Sequence, residues 1–431
     1  MRPLRRLLNA STFAQPPFWT LDDPLISSTW RPGEESVPND FEAYVTHGMK
    51  SNGAVFACML ARQLVFSEVR FQFQRFIGGR PGPLFGDESL AILERPSPTE
   101  TTGELLGRMD QDTSLAGNWY GTIRAAAGGG NRIRRLRPDW VTILTGSPTD
   151  DPFDVDAEPV GLIYDPKGHR GARSAPLLLK PSQFAHFSPL PDPVAQWRGM
   201  SWITPVIREI MGDSAATDHK LAFFKRGATP GLAISYKEGL SLDQFQAYVT
   251  AFQAEHEGVA NAYKTIHVGH GADVTAVGAD LRQLDFKASM GSVETRIAAA
   301  SGLGAVVAQL SEGLQGSSLN AGNFAVARKR AETMLFRPLW RTAAATLERL
   351  VRVPDGARLT YDPRDVAFLR DDEKDEAAIR KTDATTMETL YRANFTPGSI
   401  IEFMASGGDY SLLSHNGLPS VQVQRAPVEE D

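Results

Sequence analysis

The chain has 431 residues, of which 42% are hydrophobic, 22% charged and 9% aromatic, proportions that exclude a wholly disordered or fibrous polymer and predict two or three folded domains. Its net charge of −6 excludes a protein that grips nucleic acid over its whole surface, since that affinity comes from neutralising phosphates, but not one past which nucleic acid slides. The single cysteine, Cys58, rules out an internal disulfide framework or Cys-rich zinc module, and no apolar run reaches the roughly 18 to 20 residues of a membrane span.

Near the start, Arg2, Arg5 and Arg6 are followed by no apolar stretch, so this segment does not read as a secretory signal and the product reads as soluble and cytosolic. Through residue 40, Pro3, Pro16, Pro17, Pro24, Pro32 and Pro38 interrupt every apolar run, with Phe13, Phe18, Trp19 and Trp30 scattered among them. Such a segment reads as an arm draped over a neighbour. From Asn52, the stripe Val55, Cys58, Met59, Arg62, Leu64 and Val65 predicts a helix. Val69, Phe71 and Phe73 then alternate with Arg70, Gln72 and Gln74, as in a half-buried strand. A helix over Thr102–Leu115 runs into Gly117-Asn118-Trp119-Tyr120, and strands are expected near Trp119–Arg124, Arg134–Leu144, Val160–Tyr164 and Pro176–Phe187. Residues 52–190 therefore read as one mixed α+β domain.

Thr204 as N-cap, with Pro205 in the first helical position, opens a long helix to Lys225. Ile203, Val206, Ile207, Ile210, Met211, Leu221 and Phe224 give its apolar stripe and Gly227 can close it. An insert follows, with strands expected at Gly231–Ser235, Thr265–Val268 and near Asp273–Val277 and a helix opening at Ser241. A second helix spans about Leu284–Ser301, where Gly291 can interrupt it. The stretch Gly302–Gly322 holds glycines at 302, 304, 313, 316 and 322 and a single charge, Glu312. A third helix covers about Asn323–Val351, kinked at Pro338. The tail has a strand at Arg358–Tyr361, an acidic run from Asp371 to Glu376 leading into a helix to about Asn394, and a short helix after Thr396-Pro397-Gly398. Residues after Gly417 read as a mobile end.

No constellation argues for catalysis. Gly128-Gly129-Gly130-Asn131 lacks the lysine and hydroxyl of a phosphate loop and reads as a turn. His267 and His270 fall three apart on an expected strand, where their side chains point to opposite faces, which argues against joint chelation. His186, between Ala185 and Phe187, reads as a satisfied core histidine, and no nucleophile elbow is present. The acidic run reads as a solvated helix entrance rather than a cation site. Arg132, Arg134, Arg135 and Arg137 fit charges guarding an edge strand at least as well as nucleic-acid binding. Arg328, Lys329, Arg330, Arg337, Arg341, Arg349 and Arg352, set against Glu332 and Glu348, face phosphate or an acidic run on a neighbouring chain. The second is favoured, because they lack the interleaved aromatics of a single-strand binder.

The order helix, small α/β insert, helix, neutral Gly/Ser/Gln/Asn loop and long helix resembles the portal proteins of tailed double-stranded-DNA bacteriophages, siphophage type, similar to those of actinobacterial phages. Seven short motifs carry the resemblance across most of the chain. Ser51-Asn52-Gly53-Ala54-Val55-Phe56-Ala57-Cys58 looks like the family's first wing helix and Gly117-Asn118-Trp119-Tyr120 like its GNxY turn. Phe223-Phe224-Lys225-Arg226-Gly227-Ala228-Thr229-Pro230 is similar to the exit from the first stem helix, with Arg226 where asparagine is common, and Glu294-Thr295-Arg296-Ile297-Ala298 to the second stem helix. The segment from Leu310 to Phe324 is similar to the loops of such portals, Phe336-Arg337-Pro338-Leu339-Trp340 to the helix that follows, and Leu413-Ser414-His415-Asn416-Gly417-Leu418 to the tail. Gly302-Leu303-Gly304-Ala305 departs from the glycine-valine-proline turn of many relatives.

The resemblance implies an α+β portal fold with wing, stem of two long helices, α/β clip and helical crown, assembled as a ring. Its parts would be an N-terminal arm (1–40), wing (41–199), stem helix (200–227), clip (228–283), second stem helix (284–302), tunnel loop (303–322), long kinked helix with a wing strand (323–370), and crown with C-terminal tail (371–431). It further implies a ring of twelve copies at one capsid vertex, the conduit for DNA packaging and ejection. The major capsid protein, terminase large subunit and head–tail adaptor would be partners, with double-stranded DNA passing through and no membrane contact. No cofactor, metal or catalytic residue is implied; the location would be the virion, after assembly in host cytoplasm. In the tunnel loop, Gln309, Ser311, Gln315, Ser317, Ser318 and Asn320 would line the channel, touching phosphates through hydrogen bonds that exchange with water, while the glycines let the loop shift. The rival expectations are another ring-forming connector component, or a metal-dependent hydrolase using His267, His270 or His186.

Overall fold

The computed structural model describes residues 34–36, 41–126, 129–149, 151, 154–166, 175–225, 232–236, 241, 243, 245–247, 249–251, 272–276, 286–310, 321–370 and 373–417. They fall into two compact units, Met1–Phe368 and Leu369–Asp431. In the first, the strands are β1 (Glu34–Ser36), β2 (Arg70–Ile77), β3 (Arg80–Phe85), β4 (Trp119–Ala125), β5 (Asn131–Leu136), β6 (Val141–Gly146), β7 (Glu158–Tyr164), β8 (Leu177–Leu179), β9 (Phe184–Phe187), β10 (Leu232–Tyr236), β11 (Ala272–Ala276) and β12 (Ala357–Asp362). Its main helices are α1 (Gly53–Phe66), α2 (Thr102–Ala116), α3 (Ile207–Lys225), α4 (Phe286–Ser301), α5 (Ala321–Ala331) and α6 (Arg337–Leu347). The strands form antiparallel sheets ordered β1-β6-β7-β8, β12-β2-β3 and β5-β4-β9, with β10 and β11 as a separate pair.

Local chemistry sets most boundaries. Asn52 caps α1 by accepting the Val55 amide at 3.0 Å, and Thr101 with Glu104 forms a reciprocal capping box at the start of α2. The strand expected over Arg134–Leu144 is instead two, β5 and β6, because Pro138 opens a 3-10 turn, Pro138–Trp140, between them. Pro181 likewise splits the expected Pro176–Phe187 strand into β8 and β9, which join different sheets. Thr204 is not the N-cap expected of it. The long helix is entered through a 3-10 turn, Thr204–Val206, with no side-chain capping bond; the turn before it is held by Ser201, whose hydroxyl accepts the Ile203 amide at 3.0 Å. Gly291 does not interrupt α4. The kink at Pro338 takes the form of a π-helical turn, Glu332–Phe336, which joins α5 to α6 and places the proline in the first turn of α6, where its missing N–H costs nothing. The expected strand Thr265–Val268 lies outside the described residues; β10 and β11 correspond to the other two strands of the insert.

The core is closed by residues far apart in sequence. Helix α6 lies on β9 and β12. Its Trp340 is fully buried, stacks on Phe336 with centroids 5.6 Å apart and packs on Tyr361 at 5.8 Å. The indole N–H donates to the Phe66 carbonyl at 3.1 Å, and the Phe66 ring stacks on Phe187 at 6.1 Å. Large rings packed this way contribute more than their area alone, since the contacts are also oriented. A second cluster, centred on Tyr120, Leu136, Ile143, Leu162 and Phe184, fills the space between two of the sheets.

The second unit holds α7 (Glu373–Arg392) and α8 (Pro397–Ala405). Asn394, at φ 65°, turns the chain in the left-handed region just past α7. The returning tail is pinned by hydrogen bonds from the Thr396 amide to the Ser414 carbonyl (2.9 Å) and from the Asn416 amide to the Asn394 carbonyl (2.9 Å). The His415 ring meets Phe395 edge-on, centroids 5.1 Å apart.

Candidate functional site

The glycine-rich stretch after α4 begins as packed structure. Gly302 (φ 83°) and Gly304 (φ 75°) turn the chain through backbone that side chains with a Cβ avoid. The Gly304 amide donates back to the Ala298 carbonyl at 3.2 Å, the Ala308 amide to Gly304 at 3.1 Å and the Leu310 amide to Ala305 at 3.0 Å. Leu303, Val307, Ala308 and Leu310 are buried. Residues 303–310 are therefore a tucked turn whose apolar side chains face protein. Gln309 is exposed at its end, at φ 55°. Ser311, Gln315, Ser317, Ser318 and Asn320 lie outside the described residues.

What fixes this junction is an arginine that the sequence pattern counted within an apolar stripe. Arg62 of α1 is buried; it donates to the Ser301 carbonyl at 2.5 Å and to Asp110 of α2 at 2.8 Å. One guanidinium thus ties three helices together and caps the carbonyl end of α4, where positive charge is favoured. Removing one partner of a buried pair leaves an uncompensated charge. Cys58, one turn earlier on α1, is buried too, and burial pushes its thiol up to about 11 against the effect of its hydrogen bond with Ser301. An arginine among Val55, Cys58, Met59 and Val65 was itself the signal, since a charge on a buried face requires a partner.

The Gly117-Asn118-Trp119-Tyr120 turn is built for architecture. Gly117 ends α2 at φ 74°, and a Cβ there would collide with the Gly199 carbonyl. Asn118 donates to the carbonyls of Ala116 (2.8 Å) and Gly199 (3.0 Å) and accepts the Gly199 amide at 2.7 Å. These bonds fix its amide orientation, so Oδ1 faces His186 Nε2 at 2.9 Å and that nitrogen carries the proton. His186 stacks on Tyr120, centroids 4.4 Å apart, and burial, with the charge of Arg349 adding to it, lowers its pKa to about 3. It is a satisfied, neutral histidine, as its neighbours in sequence suggested. His267 and His270 lie outside the described residues. Among the described residues, no group of three or more His, Cys, Asp and Glu side chains gathers to hold a metal, and no helix is long and apolar enough to cross a membrane.

Four residues of the two basic clusters pair with carboxylates of the same chain. β5 is an edge strand, as expected, but two of the four arginines expected to guard it do not. Arg135 binds Asp112 through two bonds, 2.6 and 2.5 Å. Arg137 holds Asp139 at 2.7 Å and Glu42 at 2.9 Å and lies over the Phe41 and Trp140 rings. Further along, buried Glu332 takes Lys329 (3.0 Å) and Arg337 (2.5 Å), and Glu348 accepts the Leu359 amide at 2.8 Å.

Three comparisons with known proteins bear on this arrangement. A family model described as phage portal protein matches residues 54–386. Among curated proteins, none matches. Among solved structures, the chain is similar to the neck of an empty GTA particle computed with C6 symmetry, at 20% identity and a TM-score of 0.58 over 87% of this chain and 95% of that one. It is also similar to the neck of a native GTA particle computed with C12 symmetry (19%, TM-score 0.57, 88% and 96%) and to the virion of a native gene transfer agent particle (19%, TM-score 0.56, 87% and 95%). At these identities the likeness is one of fold.

Proposed function

The chain belongs to the phage portal protein family, and from that premise we propose that it closes into a ring of twelve copies at one capsid vertex and serves as the conduit for DNA packaging and ejection. The observation that carries this reading is the family match across residues 54–386. The α+β fold supports it, as does the C12 symmetry named for one structure of like fold. In this reading α3 and α4 are stem helices, the β10–β11 segment belongs to the clip, the sheets around Trp340 form the wing, and residues 371–431 form the crown and tail. The terminase large subunit and later the head–tail adaptor dock on the clip side, and the major capsid protein surrounds the wing. The protein works as a structural channel, not as an enzyme, and resides in the virion after assembly in host cytoplasm.

The chemistry proposed for the channel is weak contact. A surface that gripped each phosphate would add a salt-dependent barrier to every step of sliding. Gln309, Ser311, Gln315, Ser317, Ser318 and Asn320 offer uncharged hydrogen-bonding groups instead. The packed turn at 303–310 sets where this stretch starts, with Arg62 holding its root. Native mass spectrometry of the purified protein with negative-stain imaging tests the reading. A closed ring of about a dozen copies with an axial hole wide enough for duplex DNA is expected, closed rings being a common form of homo-oligomer. A stable dimer or tetramer without a hole overturns it.

A further inference from the structure

Two apolar surfaces of the first unit have no cover among the described residues, and they lie on opposite sides of one helix. The first is a ridge along α1. Phe56, Leu60 and Leu64 follow one another at four-residue spacing and are 47%, 42% and 59% exposed, although α1 buries its other face. The second is a groove of about 270 Å³ whose lining includes Leu190, Met200, Trp202, Met334, Pro338 and Thr342. Two apolar side chains at its mouth, Leu190 and Met334, are 42% and 69% exposed. Arg62, on the inner face of α1, forms part of the same groove wall. At 100° per residue, the centre of the ridge lies about 160° around α1 from Arg62.

That placement matters for symmetry. In a two-fold pairing a patch meets its own copy, whereas a ring built head to tail needs two different patches that fit each other, one on each side of the subunit. Here a convex apolar ridge and a concave apolar groove flank the same element from opposite sides. We propose that the occupant of the groove is a second copy of this chain, with the Phe56, Leu60 and Leu64 ridge of one copy seated against the Met334 and Leu190 mouth of the next. This rests on the ring reading and names its wing contact. Arg62, Ser301 and Gly302 also line the groove, so the proposed contact lies against the root of the 303–310 turn.

The test uses the full chain and two variants. Leu60→Glu with Leu64→Glu puts charge on an exposed ridge, and Thr342→Trp fills the mouth of the groove; circular dichroism melting checks that both remain folded. Native mass spectrometry is expected to show wild-type rings and at least a tenfold loss of ring population in each variant alone. Mixed one to one, the variants are expected to give heterodimers and nothing longer, because the ridge variant keeps an intact groove and the groove variant an intact ridge. Rings from either folded variant, or a mixture without heterodimers, overturn the pairing while leaving the ring reading in place. A wild type that never closes overturns both.

Discussion

Helices α6 and α3 are both legible from apolar residues spaced by three and four, yet they end in opposite circumstances. In α6, Leu339, Trp340, Ala343, Ala344 and Leu347 are buried against strands that come from distant parts of the first unit. In α3, burial stops after the first turn. Ile207 and Ile210 are inside, but no side chain from Met211 through Ala222 is buried, and Leu221 is 49% exposed. The same periodicity therefore reports which face of a helix is apolar and says nothing about who covers it. For α6 the cover is the chain itself; in this later stretch of α3 no described side chain is fully buried.

The largest effect tests the covered side of this comparison. Replacing Trp340 with alanine removes a fully buried ring, its stacking on Phe336 and its bond to the Phe66 carbonyl. We expect a loss of about 3 to 5 kcal/mol in unfolding free energy, read from urea denaturation. A loss below about 1.5 kcal/mol, the size expected of a well-tolerated core change, would mean that α6 does not close the core.

An intermediate effect concerns His186, which sits below α6 in β9. A free imidazole takes its proton near pH 6.5, whereas in the fold the pKa is lowered to about 3 by burial. Between those values the unfolded chain binds more protons, so stability falls as pH drops through that window and is fully present above it. His186→Gln, which retains an N–H for Asn118, should flatten that slope by roughly 1 to 3 kcal/mol across the window. Urea midpoints measured from pH 7 to 4 check this, and parallel curves for the two proteins would refute it.

Much of the fold was readable because its local signals agreed with its tertiary needs. The helix starts expected near Asn52 and Thr102, the helix end expected before Gly117 and the break expected near Pro338 are all local chemistry, and each is found close to where the residues put it. What was not readable depended on partners distant in sequence or on geometry that several residues could satisfy. Nothing near Thr204 announces that a 3-10 turn takes the place of its cap, and nothing near Arg135 announces Asp112. Of the candidate channel residues, only Gln309 falls within the described structure, exposed at the end of a turn whose buried Leu303, Val307 and Leu310 looked in sequence like part of a flexible loop. Glycine content suggested freedom there, but the apolar residues between the glycines decided the outcome, since burying them outweighs the chain's freedom to move.

The smallest expected effect tests the uncovered side. Leu221 is itself exposed on the half of α3 that holds no fully buried side chain, so Leu221→Ser should change the unfolding free energy of an isolated copy by no more than about 0.5 kcal/mol, as at other exposed positions. In the proposed ring the same substitution should remove an apolar contact between copies, so that the ring dissociates at lower denaturant than wild type while the monomer melts unchanged. A loss of about 2 kcal/mol in the isolated copy would be the cost of a buried leucine and would mean that α3 is covered from within the chain. The two helices would then differ in degree only, and the apolar stripe of α3 would no longer point to a neighbour.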